Sequence, residues 1–149
     1  MFLLDTNIIS ELIKKQPSAY LLERMEGVQD ASLYTASVCA MELRFGALRV
    51  PNSEALWTKI QKRILSRIQI LPFGYQQAMK AAELLAALYA SGRPIGIEDT
   101  MIASTALSNG LIVVTANTDH FSRIPGLQSE NWLLPEQSQK EDTSSQHTE

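Results

Sequence analysis

The chain has 149 residues, 45% of them hydrophobic and 19% charged, which fits one folded domain and excludes a disordered or collagen-like chain. No apolar run approaches the roughly 20 residues that span a bilayer, and Asp5 interrupts Met1-Phe2-Leu3-Leu4 before it could form a signal-peptide core, so a cytoplasmic protein with no membrane partner is expected. The net charge of −3 resides in the last fourteen residues, where Glu136, Glu141, Asp142 and Glu149 face only Lys140, and the lone Cys39 excludes an intramolecular disulfide or a multi-cysteine zinc site.

Phe2-Leu3-Leu4 reads as a buried strand that stops at Asp5 and feeds a helix through Ile8, Ile9, Leu12 and Ile13. A second helix carries Leu21, Leu22 and Met25 to Gly27, and Ser32 to Thr35 has the length and composition of another strand. Ser37 is the expected N-cap of a helix with Val38, Met41, Phe45 and Leu48 on its buried stripe, and Glu42 falls at the edge of that stripe, facing inward. Residues 54–68 read as helix, Ile70-Leu71 as a third strand, and 75–90 as a long helix stopped by Ser91-Gly92-Arg93-Pro94. Ile97-Glu98-Asp99 opens a helix with Ile102, Ala103, Ala106 and Leu107 inward, closing at Asn109-Gly110. The strand from Leu111 to Val114 then ends in Thr115-Ala116-Asn117-Thr118-Asp119-His120-Phe121. Short apolar strands alternating with helices specify an α/β fold, a doubly wound parallel sheet flanked by helices, over residues 1–135. Residues 136–149 contain no apolar side chain and read as a disordered polar tail.

Ligands of such sheets gather beyond the carboxyl ends of the strands, where the strand order reverses. Asp5 and the segment from Thr115 to Asp119 follow apolar strands, and Glu42 and Asp99 sit on helices that can project to the same edge. Each acid alone has a plainer reading: Asp5 as a helix cap, Asp99 as a first-turn acid favoured by the dipole, Asp119 as a solvated turn residue. Four converging carboxylates repel one another unless protonated or neutralised by cations, and an all-oxygen set suits Mg²⁺ or Mn²⁺. The chemistry implied is cation-assisted phosphodiester hydrolysis.

Four segments taken together, Leu3 to Asn7, Ser37 to Ala47, Asp99 to Leu107 and Leu111 to Phe121, resemble a PIN domain, and within that superfamily the ribonuclease toxins of the VapC type, including the FitB-like branch. Phe121 to Leu127 and Glu130-Asn131-Trp132 resemble the closing part of that fold, so the likeness runs from residue 1 to about 134. The resemblance implies a Mg²⁺- or Mn²⁺-dependent endoribonuclease cutting tRNA or another structured RNA, a cognate antitoxin that neutralises it, a homodimer, and operator DNA reached only through the antitoxin. By position, Asp5, Glu42 and Asp99 match the acids, with Asp5 and Asp99 as metal ligands, and Thr6, Asn7 and Thr115 match the supporting polar residues. Many relatives carry an acid where this chain has His120, and others carry one at Asn117. Asp119 is therefore expected to complete the catalytic set, Asn117 to support it, and His120 to be a surface or capping residue. Lys59, Arg63 and Arg67 recur every fourth residue and are expected to form one basic helix face, either an RNA-binding surface or simply a solvated one. A phosphatase with an aspartate nucleophile needs a second aspartate where this chain has Asn7, which disfavours that class. The remaining competitor is a catalytically weak protein acting mainly as an antitoxin-bound co-repressor, against which the retained acids argue.

Overall fold

Five short strands form one parallel sheet in the computed structural model, which describes residues 1–136. They are β1 (Phe2–Leu4), β2 (Leu33–Ala36), β3 (Gln69–Leu71), β4 (Ile112–Val114) and β5 (Ser129–Glu130), in the order β3-β2-β1-β4-β5. The helices are α1 (Thr6–Ile13), α2 (Ala19–Glu26), α3 (Ser37–Leu48), α4 (Ser53–Ile60), α5 (Tyr75–Ala90), α6 (Ile97–Ser108) and α7 (Thr118–Ser122). The chain starts in the central strand, winds outward through β2 and β3, then crosses to the other side of β1 to lay down β4 and β5. The expected doubly wound α/β sheet is present, and its winding reverses between β1 and β4, which opens a crevice at their carboxyl ends.

Neighbouring strand residues face opposite sides, so each apolar strand serves two cores. Leu3 and Val113 pack with Leu84, Leu88, Ile102 and Ala106 on one face, while Leu4 and Val114 pack with Ile8, Ile9, Leu21 and Trp132 on the other. Helix α6 buries hydroxyls as well as apolar groups. Thr100 donates to Gly96 O at 3.0 Å and Thr105 to Met101 O at 2.9 Å, so neither hydroxyl is buried without a partner. The helix ends at Ser108 with Asn109 as its C-cap, and Gly110, with φ of +64°, lets the chain turn sharply toward β4.

The sequence pattern of α3 is misleading. Its buried line is Cys39, Leu43 and Ala47 together with Val38, whereas Met41, Phe45 and Leu48 are 56%, 60% and 55% exposed. Small Cys39 and Ala47 suit the close approach of α3 to α1 and α6, and the bulkier apolar residues are left outside. Ala36, not Ser37, is the N-cap of this helix. The expected helix over 54–68 is α4 followed by a π-helical stretch, Gln61–Leu65, which shifts the register of the side chains beyond it.

Strand β5 is only two residues long, and Trp132 beyond it is fully buried. Its indole N–H donates to Glu130 Oε2 at 2.7 Å, its ring meets Phe2 edge-on at 4.9 Å, and the Arg24 guanidinium lies 5.1 Å above it. Of the expected tail, only Glu136 is described, paired with Arg24 at 2.7 Å, and residues 137–149 lie outside the described residues. Among the described residues no helix is long and apolar enough to cross a membrane. Removing the buried indole leaves a large void, so Trp132→Ala is expected to cost about 3–5 kcal/mol of unfolding free energy, measured by denaturant titration.

Candidate active site

Asp5 follows directly on β1, and its backbone N–H donates to Val114 O at 2.9 Å, so the pairing of β1 with β4 itself carries this carboxylate to the crevice. Asp5 also caps α1, its Oδ1 accepting from the Thr6 N–H at 2.8 Å. Its other oxygen accepts from the Thr115 hydroxyl at 2.8 Å and the Asn7 amide at 3.4 Å. Asn7 Oδ1 in turn accepts from Ala116 N at 3.1 Å, and Thr115 Oγ1 accepts from Asn117 N at 2.9 Å, fastening the start of α1 to the segment after β4. The Thr6 hydroxyl donates to Glu42 Oε1 at 2.9 Å, joining α1 to α3.

A pocket of about 540 Å³ opens above this network, lined by Asp5, Glu42 and Asp99 together with Thr6, Asn7 and Asn117. Asp5 is 5% exposed, and burial pushes its carboxyl up to about 6. The negative charges of Asp99 and Glu42 push the same way, while the hydrogen bonds from Thr115 and Thr6 pull against them. The Cys39 thiol, 3.9 Å from Asp5 Oδ1, is pushed up to about 12 by burial and by the Asp5 charge, so it stays protonated and is no nucleophile. One ligand atom from each of Asp5, Cys39 and Glu42 lies within 4.8 Å of the others. With the thiol protonated, oxygens are the available donors, a hard set that fits Mg²⁺ or Mn²⁺. Among the described residues no lysine or arginine ion-pairs with Asp5, Glu42 or Asp99, and Lys14 at the pocket is paired with Glu11 at 2.5 Å. A somewhat larger recess, about 620 Å³, lies between α2 and the end of the described chain, where Arg24 pairs with both Glu130 and Glu136.

The PIN domain family model matches residues 2–127. This chain belongs to the PIN domain family. It is 38% identical to the tRNA(fMet)-specific endonuclease VapC of Shigella flexneri over 131 residues, 88% of this chain and 97% of that relative. It is also 30% identical to Toxin FitB of Neisseria gonorrhoeae over 126 residues, 81% of this chain and 91% of that one. Among solved structures it superimposes on DNA-bound VapBC from Salmonella typhimurium with a TM-score of 0.79 and 36% identity, covering 88% of this chain and 97% of that one. FitAcB from Neisseria gonorrhoeae gives a TM-score of 0.82 at 28% identity, covering 89% and 98%.

In this PIN domain, Asp5, Glu42 and Asp99 meet in one pocket, Thr6, Asn7 and Asn117 line it, and Thr115 lies buried beneath. Asp119 does not join them. Its side chain is 77% exposed and pairs with Arg123 at 2.9 Å, one turn along the same short helix. His120, expected to be a surface or capping residue, is 37% exposed at its side chain and places Nδ1 2.8 Å from Asp99 Oδ2. The basic face is divided: Lys59 donates to Ile13 O at 2.7 Å at the end of α1, Arg67 is held by both oxygens of Asp30, and the π-helical stretch interrupts the spacing. Ser10, Glu11 and Lys14 at the pocket were missed, although their spacing from Asn7 along α1 puts them on its face.

The folded chain binds the Asp5 proton more tightly than the unfolded chain does, so this residue stabilises the fold below pH 3.8 and that contribution is lost as pH rises through about 6. The loss corresponds to about 3 kcal/mol at neutral pH. Asp5→Asn removes the charge, and its amide can donate to Thr115 Oγ1. In chelator at pH 7.5 its melting temperature is expected to exceed that of the native chain, the advantage shrinking toward pH 4, as followed by circular dichroism.

Proposed function

We propose that this chain is a divalent-cation-dependent endoribonuclease, the toxin of a type II toxin–antitoxin pair, and that a cognate antitoxin neutralises it. The observation that carries this reading is the pocket at the β1/β4 reversal, where Asp5, Glu42 and Asp99 share space with no lysine or arginine paired to them among the described residues. Tight hydrogen bonding around Asp5 and Glu42 supports an active site over a relic serving only as a co-repressor, because relaxed acids would turn to solvent.

Asp5 and Asp99 would hold the ion, and Thr115, Asn7 and the Thr6 N–H keep the Asp5 oxygens fixed while it does so. A bound Mg²⁺ or Mn²⁺ supplies an activated water and screens the charge that develops on phosphate. Glu42, oriented by Thr6, stands where it can accept a proton from water, and Asn117 contributes a neutral polar edge.

The substrate class is RNA, with structured RNA such as tRNA favoured by relatives from Shigella flexneri and Salmonella typhimurium named as tRNA(fMet)-specific endonucleases. A related structure from Mycobacterium tuberculosis, 26% identical, is that of a member of the VapBC family of toxin–antitoxin systems, and VapBC from Salmonella typhimurium is DNA-bound. Those likenesses support an antitoxin partner, with operator DNA reached through it. The exposed Met41, Phe45 and Leu48 of α3 and Tyr75, Met79 and Tyr89 of α5 supply apolar surface for a homodimer. The cytoplasm, where RNA and antitoxin are met, is the proposed location.

Purified chain incubated with total RNA is expected to cut it in Mg²⁺ or Mn²⁺ and to stop in excess EDTA. Glu42→Gln is expected to lower kcat about 100-fold or more at saturating cation. Undiminished cutting in EDTA, or by Glu42→Gln, would overturn the assignment.

A further inference from the structure

His120 follows Asp119 in α7, and the structure puts its ring against a site carboxylate. Nδ1 of His120 lies 2.8 Å from Asp99 Oδ2. A carboxylate oxygen offers lone pairs, so Nδ1 carries the proton and donates. The Asn117 amide, 3.5 Å from the same nitrogen, then contacts it without a shared proton. Asp99 and Asn117 line the pocket while His120 stands behind Asp99, so the imidazole lies outside the direct ligand set.

The ring is held there by the rest of α7. Phe121, the next residue, is fully buried in the core that includes Ile102 and Ala106 of α6. Arg123 donates from Nη1 to Pro94 O at 3.0 Å, just before α6, and Asp119 holds its Nη2 at 2.9 Å. Side chain and backbone contacts thus bind α7 to the start of the helix that carries Asp99. Asp119 acts on this clamp through Arg123 and not on the pocket.

The geometry points to His120 as the positioning residue for Asp99: its N–H fixes one carboxylate oxygen and so presents the other to a divalent cation. Hydrogen-bonded carboxylate ligands lose about 10- to 100-fold in metal affinity when such a partner is removed. This inference rests on the cation-dependent reading given above.

The test is Mn²⁺ binding to the RNA-free full chain, followed by the loss of the free-ion electron paramagnetic resonance signal. His120→Leu is expected to raise the Mn²⁺ Kd about 10- to 100-fold with a chelator-treated melting temperature close to that of the native chain. His120→Asn, whose amide can donate from near the Nδ1 position, is expected to recover most of the affinity. At saturating Mn²⁺ the Leu variant should cut RNA with near-native kcat. Native Kd in His120→Leu, or equal losses in the Leu and Asn variants, would overturn the role of His120 and leave the cation-dependent reading standing. A native chain that binds no Mn²⁺ would overturn both.

Discussion

The hydrogen bond from the Thr115 hydroxyl to the Asp5 carboxylate, 2.8 Å long and buried, joins the ends of the two parallel strands between which the winding order reverses. β1 and β4 are apolar on both faces because helices cover both, and the first polar atoms past their ends are therefore obliged to satisfy one another. Asp5 answers four donors at once: the Thr6 N–H, the Thr115 hydroxyl, the Asn7 amide and, at longer range, the Cys39 thiol. These bonds fix the carboxylate but leave its charge uncompensated, since burial and the nearby Asp99 and Glu42 all favour the protonated form. The fold thus creates an electrostatic deficit at this hydrogen-bonded point, and the charge and ligand preference of a divalent cation would match it.

Four helices bring side chains to that point or to the residues around it. Helix α1, capped by Asp5, brings Thr6 and Asn7, with Lys14 at its C-cap; α3 brings Glu42; α6 brings Asp99 in its first turn. Helix α7 has no acid in the pocket, yet it carries His120 to Asp99 and is fastened by Phe121 and Arg123. The chain has two neighbouring candidates in this segment, Asp119 and His120, and the helix decides between them. Successive residues on a helix point about 100° apart, so with His120 turned to Asp99, Asp119 turns outward to Arg123.

That decision also marks what could be read from the sequence. Asp5, Glu42 and Asp99 were legible because each follows an apolar strand, interrupts an apolar helix or opens one, and the sheet's winding brings those places together. The family resemblance sharpened the same choice, and the PIN family model covers those residues. Asp119 was misplaced because the segment after β4 read as a loop, in which any side chain can turn inward, whereas it contains a five-residue helix. Orientation failed likewise in α3: three large apolar residues suggested a buried stripe, but packing favoured the smaller Cys39 and Ala47. The basic face of Lys59, Arg63 and Arg67 presumed an uninterrupted α-helix, and the π-helical stretch together with Ile13 and Asp30 claims two of the three cations. Topology followed from apolar runs, while side-chain direction depended on local helix starts and on residue size.

The central claim is that the three carboxylates at the strand reversal are completed by one divalent cation. Anomalous diffraction from crystals of the full chain soaked in Mn²⁺ tests it most directly. The account predicts a strong peak in the pocket within direct bonding distance of both Asp5 and Asp99. An empty pocket at saturating Mn²⁺, or an ion bound elsewhere while Asp5 keeps its native hydrogen bonds, would contradict it.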